Sequence, residues 1–474
     1  MLSVFLLLMA GCSDSPDDAA NTLDPNNPTT ITVWTYYNGA QLTSFNEMVA
    51  KFNETVGKSK GIVVKSESQG SVNDLETNVI NAVEGKVGAD NIPNIFAAYA
   101  DTAYAVDRMG LVADISEFFT ESELDNYVRS YIEEGSFDED GEIKIFPCAK
   151  SVEIFLLNKT DWQQFADATG AEYSDFETLE GLTATAQKYY EWTDGLTPDI
   201  SNDGKAFYGR DSMANYMLIG SMQLGTEIFS VSGGKMVLNF DKDIVRKLWD
   251  NYYVPFVKGY FAASGRFRSD DVQTGNIISF VGSSSGATFF PHTVTLNDEE
   301  SHDIEMEVFP APQFANSQAY AVQQGAGMVV TKLSDAEIEA SVEFLKWFTD
   351  ERQNVSFSVS SGYMPVRKAA NDIEVIKENF SEELTADMDK ILTVGTATVN
   401  DNTLYTPRAF KNGSSARKVL EYSMSDSAVE DRAVVKERLS EGMTLEEATA
   451  EFCSDEYFDS WYEIVLGKLK AFAD

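Results

Sequence analysis

Histidine and cysteine are nearly absent from this 474-residue chain, which has only His292 and His302 of the first and Cys12, Cys148 and Cys453 of the second. Two histidines supply poorly either a zinc site or a histidine-based proton relay. No Cys-x-x-Cys occurs, and Cys148 and Cys453 stand too far apart for a local metal-ligand pair, so neither metal nor other cofactor is expected. Two states of these thiols stay open, one long-range disulfide or two free groups. Basic residues are also scarce: 36 Lys and Arg face 76 Asp and Glu, a net charge of −40 spread along the chain. Such a field repels phosphate backbones and anionic surfaces, which argues against nucleic acid as a partner. Solubility outside the cell is the plain account of the acidity. No carboxylate pair stands out among so many acids and there is no His-Glu-x-x-His, so a secreted glycoside hydrolase is the rival reading rather than the first. Internal repeats are lacking too, which counts against a modular adhesin.

The apolar run from Leu2 to Gly11 falls short of the ~20 residues that a membrane-spanning helix needs. It reads as the apolar region of an export signal over residues 1–11. Its ending, Met9-Ala10-Gly11-Cys12, looks like a bacterial lipobox, in which cleavage leaves Cys12 as a lipid-bearing N-terminus. The alternative is an ordinary signal with a chance cysteine, and the lack of Lys or Arg before the run departs from the usual pattern. Residues 12–29, rich in Asp, Asn and Pro, read as a flexible tether. The expectation is an exported lipoprotein held on the outer face of the cell membrane, or in the periplasm of a two-membrane cell.

Beyond the tether the composition is globular, 43% hydrophobic and 12% aromatic, enough for two or three domains. Ile31 to Tyr36 alternates like a strand, and Leu42, Phe45, Val49 and Phe52 carry helical spacing over 40–56. A strand from Gly61 to Lys65, a helix through Leu75, Val79 and Val83, a buried strand over 94–99 and a helix from Thr102 follow. This alternation predicts an α/β lobe with a largely parallel sheet. Further strands are expected at Ile143–Pro147, Ser151–Asn158 and Asn276–Val281, with a pair around Gly325, and helices dominate 160–260.

Four segments together resemble the extracellular solute-binding proteins that serve carbohydrate-type ABC importers. Phe146-Pro147 through Asn158-Lys159 looks like that family's proline-led hinge strand. Thr274-Gly275 through Gly286 looks like its second crossover, and Gln324-Gly325-Ala326-Gly327 like the glycine strand after it. Ser361-Gly362-Tyr363-Met364-Pro365-Val366 is similar to its Gly-Tyr-Leu-Pro-Val motif. The resemblance implies an α/β fold of two lobes joined by crossover strands, of the periplasmic-binding-protein kind, closing on ligand by a hinge motion. It assigns residues 30–148 with 283–325 to an N-terminal lobe and 149–282 with 326–474 to a C-terminal lobe. It further implies a monomer that binds a small-molecule carbohydrate between the lobes and delivers it to ABC permease subunits.

Carried over from glycerol-3-phosphate-binding members of that family, the resemblance marks Ser151, Ser284 or Ser285, Gly325 with its neighbour Gln324, Tyr363 and, in the last third, Arg417. Three other positions depart: Val72 replaces a tyrosine, Ala100 beside Asp101 replaces a glutamate, and Gly209-Arg210-Asp211 stands where paired tryptophans are expected. These departures favour a neutral sugar over glycerol-3-phosphate.

Sugar recognition needs aromatic faces for the C–H side of a ring and polar groups for its hydroxyls. Tyr36, Tyr37 and Tyr363 suit the first role, although strand alternation turns one of the first two inward and Tyr363 could serve only the turn before Pro365. Asp101 could accept hydroxyl bonds or cap the helix after it. Ser284 and Ser285 offer donors, or simply a turn. Arg210 and Asp211 could pair with each other at the surface, with ligand contact from the expected cleft wall as the lesser alternative. Trp249, Trp347 and Trp461 fall in apolar helical stripes and are expected in the core.

Overall fold

The computed structural model describes residues 23–137, 141–232, 235–380 and 383–473. The apolar run, Cys12 and the first part of the expected tether lie outside the described residues. Its second part is no tether: Leu23 is buried in the first core, Asp24 to Asn27 form a turn, and a strand begins at Thr29. The glycine at Gly61 makes this docking possible, since a Cβ there would lie 2.3 Å from the Asp24 carbonyl oxygen.

The first sheet is built from β1 (Thr29–Thr35), β2 (Ile62–Ser68) and β3 (Ile95–Ala98), all parallel, with β1 in the middle. Each strand feeds a helix: α1 (Gly39–Phe52), α2 (Val72–Val83) and α3 (Ala100–Asp107). Ser71 and Asp74 cap α2 reciprocally, which fixes where the chain leaves β2 for the helix. The second sheet has the order β7-β4-β6-β5, from β4 (Glu153–Asn158), β5 (Tyr208–Arg210), β6 (Ser279–Ser283) and β7 (Met306–Pro310). Helices α4 (Met213–Gln223) and α5 (Lys242–Lys258) pack beside it.

Beyond β7 the chain passes through β8 (Tyr320–Val322) and returns to the first lobe. There β9 (Gly327–Val330) pairs antiparallel with β3, while α6 (Asp335–Phe348) covers β1 and α7 (Glu351–Ser361) packs on α1. It then crosses once more near Met364 to supply β10 (Thr403–Tyr405), α8 (Gly413–Ser440) and α9 (Asp455–Lys470) to the second lobe. The expected lobe limits are corrected by these pairings. Within 283–325, β7 bonds to β4 of the second sheet, and within 326–474 the segment from β9 to α7 fills the first core. The physical reason is edge satisfaction: β9 covers the open side of β3, and β7 that of β4.

Three segments therefore cross between lobes, near residues 146–153, 322–327 and 361–370, and they are laced together. Ser151 and Gln324 exchange backbone hydrogen bonds of 2.8 and 3.1 Å, and Lys150 pairs with Met364. Ile143–Pro147 forms no ladder as a strand: Phe146 makes an isolated bridge with Met328, while Ile143 and Lys144 bond to Ile115 and Gly135. Trp249 and Trp461 are buried, and Trp347 packs half-buried on the first core. Cys148 and Cys453 are both free, the first in the first-lobe core and the second half-buried in the other lobe.

Candidate functional site

A cavity of about 1030 Å³ lies between the lobes and is lined from both. Strand ends point into it, as expected for open α/β sheets. Tyr36 and Tyr99 each directly follow the last residue of a parallel strand, β1 and β3, and both line the cavity. The Tyr36 and Tyr363 hydroxyls lie 3.2 Å apart, and burial pushes both phenols well above their ordinary range. Tyr99 shows 37% of its surface to the cleft. Desolvation raises its phenol as well, with Tyr36 adding to the rise.

Asp101 sits in the first turn of α3 and caps nothing, because Tyr99 holds the cap position. It reaches across the cleft instead: a Cβ on Gly413, the first residue of α8, would lie 2.1 Å from its Oδ1. Burial pushes the Asp101 carboxyl up to about 6, with Arg417 pulling the other way and Glu76 adding to the rise.

The opposite wall is a linked polar network. Arg417 of α8 donates to Asn215 Oδ1, and the Asn215 amide donates to Glu153 Oε1 and to Gln324 Oε1, each at 2.8 Å. Glu153 in turn holds the Arg210 guanidinium. Arg210 thus stands behind the wall rather than paired at the surface with Asp211. Asp211 lines the cavity, accepts from the Arg268 backbone N–H, and is pushed up to about 6 by burial. Glu421 caps α4 through the N–H groups of Met213 and Ala214.

Eight expected site residues come together on this cavity: Tyr36, Asp101, Ser151, Ser285, Gln324, Gly325, Tyr363 and Arg417. Two do not. Tyr37 is turned into the first core, with its ring 5.3 Å from Phe45 and 5.4 Å from Phe357. Ser284 is fully buried with its N–H on the Val152 carbonyl. Residues the sequence reading passed over include Tyr99, Phe267, Phe289 and Tyr422, which line the cavity and stay 37, 52, 60 and 55% exposed. Tyr99 carried a usable signal, the same place after a strand as Tyr36; the other three carried none.

The letters Gly-x-Ser-x-Gly occur twice, at Gly57–Gly61 and Gly282–Gly286. Neither is a nucleophile elbow. Ser59 lies in a helical turn and donates to the Val56 carbonyl, and the buried Ser284 Oγ has no hydrogen-bond partner to act as base.

The model of the bacterial extracellular solute-binding protein family matches residues 47–387. No curated protein sequence matches the chain significantly. Among solved structures, the cyclic alpha-maltosyl-1,6-maltose binding protein from Arthrobacter globiformis is similar at a TM-score of 0.67 and 17% identity, covering 94% of this chain and 100% of its own. UgpB from Mycobacterium tuberculosis, in complex with glycerophosphocholine, gives 0.65 and 16%, covering 93% and 99%. An ABC substrate-binding protein from Listeria monocytogenes, in complex with cycloalternan, gives 0.63 and 16%, covering 94% and 100%. The family match spans most of the chain and the fold is shared over nearly all of it, so this chain belongs to the bacterial extracellular solute-binding proteins.

Proposed function

We propose that the protein is the substrate-binding lipoprotein of an ABC importer, a monomer that captures a neutral oligosaccharide between its lobes and delivers it to membrane permease subunits. The carrying observation is the set of four exposed aromatic rings, Tyr99, Phe267, Phe289 and Tyr422, contributed by both lobes to one cleft. Rings left open to water at the wall of a cavity are platforms for sugar faces. At about 1030 Å³ the cavity stands at the top of the ~300–1,000 Å³ common for small-molecule sites, which suits several sugar units better than one. The family and the similar solved structures are binding proteins, which supports binding rather than hydrolysis.

Two relatives carry cyclic oligosaccharides in their names and one a phosphodiester. The phosphodiester reading for this chain rests on Arg417. That guanidinium is already engaged by Asn215, and Glu76, Asp101, Glu134 and Glu421 share its cavity. Calorimetry with maltotriose, a cyclic glucan, ribitol, glycerol-3-phosphate and glycerophosphocholine tests the proposal. Maltotriose or the cyclic glucan is expected to bind, and Tyr99→Ala to weaken it about 10- to 100-fold, the ~1.5–3 kcal/mol of a large apolar side chain. Binding of the phosphate esters alone, lost in Arg417→Ala, would reverse the choice of ligand.

Affinity is also expected to depend on pH through Asp101. A ligand hydroxyl donating to the charged carboxylate would draw its raised pKa down from about 6, so binding releases a proton. The sign follows: affinity holds above pH 6 and weakens as pH falls through it. Titrations between pH 5 and 8 should show this step, and Asp101→Asn should remove it. A flat wild-type profile removes Asp101 from the ligand's contacts.

Anchoring through lipid on Cys12 belongs to the same proposal, motivated by the Met9-Ala10-Gly11-Cys12 ending. Cys12→Ser is expected to move the protein from the membrane fraction to the soluble one. A variant that still sediments with membranes rules the anchor out.

A further inference from the structure

Lys150 is one of the most deeply buried charges of the chain, 1% exposed, and it sits where the lobes are joined. It lies on the first crossing segment. Its Nζ donates to the Glu134 carboxylate of the first lobe and, at 2.9 Å, to the carbonyl of Gly325 on the second crossing segment. Its backbone exchanges bonds with Met364 on the third. Gln323, also on the second segment, donates its amide to Glu134 at 2.6 Å and to the Ser130 carbonyl at 3.1 Å. With both bonds made, the amide's own oxygen is buried without a partner. The first two crossings thus meet at one ion pair, the third is held on the Lys150 backbone, and Glu134 lines the ligand cavity.

Burying such a pair is not a route to stability. Desolvating two charges offsets most of their attraction, and well-packed apolar replacements are often neutral or stabilising. What the pair supplies is a directional constraint, since an ammonium held by a carboxylate and a carbonyl on different segments fixes their register in a way that methylenes do not.

The geometry points to Lys150 and Glu134 as positioning residues for ligand capture. They clamp the first two crossing segments to each other, with the third held on the Lys150 backbone, so that closure is one rigid rotation carrying Ser151, Gln324 and Gly325 to the ligand together. Neither residue is assigned a ligand contact. The inference rests on the two-lobe binding role and not on which sugar is bound, and its test needs no ligand.

Spin labels at Lys51→Cys in the first lobe and Lys188→Cys in the second, in a Cys453→Ser background, report the interlobe distance of the ligand-free protein. A single narrow distance is expected for the parent. The double variant Lys150→Met with Glu134→Met is expected to unfold at the parent's denaturant midpoint yet lose the narrow distance in favour of a broad distribution, while Lys150→Arg keeps it. A double variant with the parent's distance distribution would overturn the proposal and leave the pair a packing feature. If that variant does not fold, Glu134→Gln decides by the same readout, because the glutamine keeps the side chain's size and its contact with Gln323 but not its charge. A narrow distribution there overturns the proposal as well. A failure of every sugar to bind would sink the ligand assignment without touching this result.

Discussion

Glu153→Ala is expected to cost the fold about 3–5 kcal/mol, the loss typical of breaking a buried ion pair by removing one partner. Glu153 and Arg210 are 9 and 6% exposed at their side chains, so the pair is largely shielded from water. Burial alone would lower the Arg210 pKa, and Glu153 is the largest influence that keeps it raised. The variant strands a guanidinium behind the cleft wall and also deprives the Asn215 amide of one acceptor. Glu153→Gln should fall between, since it keeps a hydrogen-bond acceptor and loses only the charge. The exposed pair of Arg246 with Asp455, whose carboxylate is 83% exposed, sets the contrast: Asp455→Ala should change stability by no more than ~1 kcal/mol. Urea denaturation of the three variants checks the order. A Glu153→Ala midpoint equal to the parent's would mean that Arg210 reaches water in solution.

That network was not legible in the sequence, for a physical reason. Glu153 begins an apolar strand and Arg210 ends another more than fifty residues later, and only the β4–β6–β5 pairing brings them together. What was legible depended on local period. β1 and its helix followed from alternation giving way to helical spacing, and Tyr36 from its place after the strand. Tyr36 and Tyr37 were marked together because alternation says that one of them faces inward without saying which; packing against Phe45 and Phe357 decides for Tyr37. Ser284 and Ser285 show the same limit within a turn, where one step separates the core from the cavity. The lobe limits failed because a return strand carries no label for the sheet it joins. β9 reads from its sequence as any apolar strand, and only the open side of β3 determines its partner. Phe267, Phe289 and Tyr422 carry no local pattern that marks them, and only the way the lobes face each other brings them to one cavity wall.

Gly325→Ala is expected to damage fold and binding together, because an added Cβ would meet only backbone in the first crossing segment. Gly325 has φ +94°, in the left-handed region that costs a residue with a Cβ about 1–2 kcal/mol. A Cβ there would also lie 2.9 Å from the Ala149 carbonyl oxygen, 3.2 Å from Lys150 Cα and 3.3 Å from Ser151 N. All three obstacles are backbone, so no side chain can swing aside. Relief requires the first and second crossing segments to part, which strains the Ser151–Gln324 bonds and the Lys150 bond to the Gly325 carbonyl. Overpacking of this kind adds ~1–3 kcal/mol, for a total of about 2–5 kcal/mol. Gly413→Ala is the control. Its φ is not left-handed and the obstacle is the end of the Asp101 carboxylate, so the fold should hold or gain from alanine's better helix propensity while only the cleft contact shifts. The two glycines both line the cavity, yet one is required by the hinge backbone and the other only by what lies across the cleft. Denaturant midpoints separate them: Gly325→Ala should unfold well before the parent, and Gly413→Ala with it or later. Equal midpoints for parent and Gly325→Ala would show that the crossing segments are not held as closely as this geometry requires.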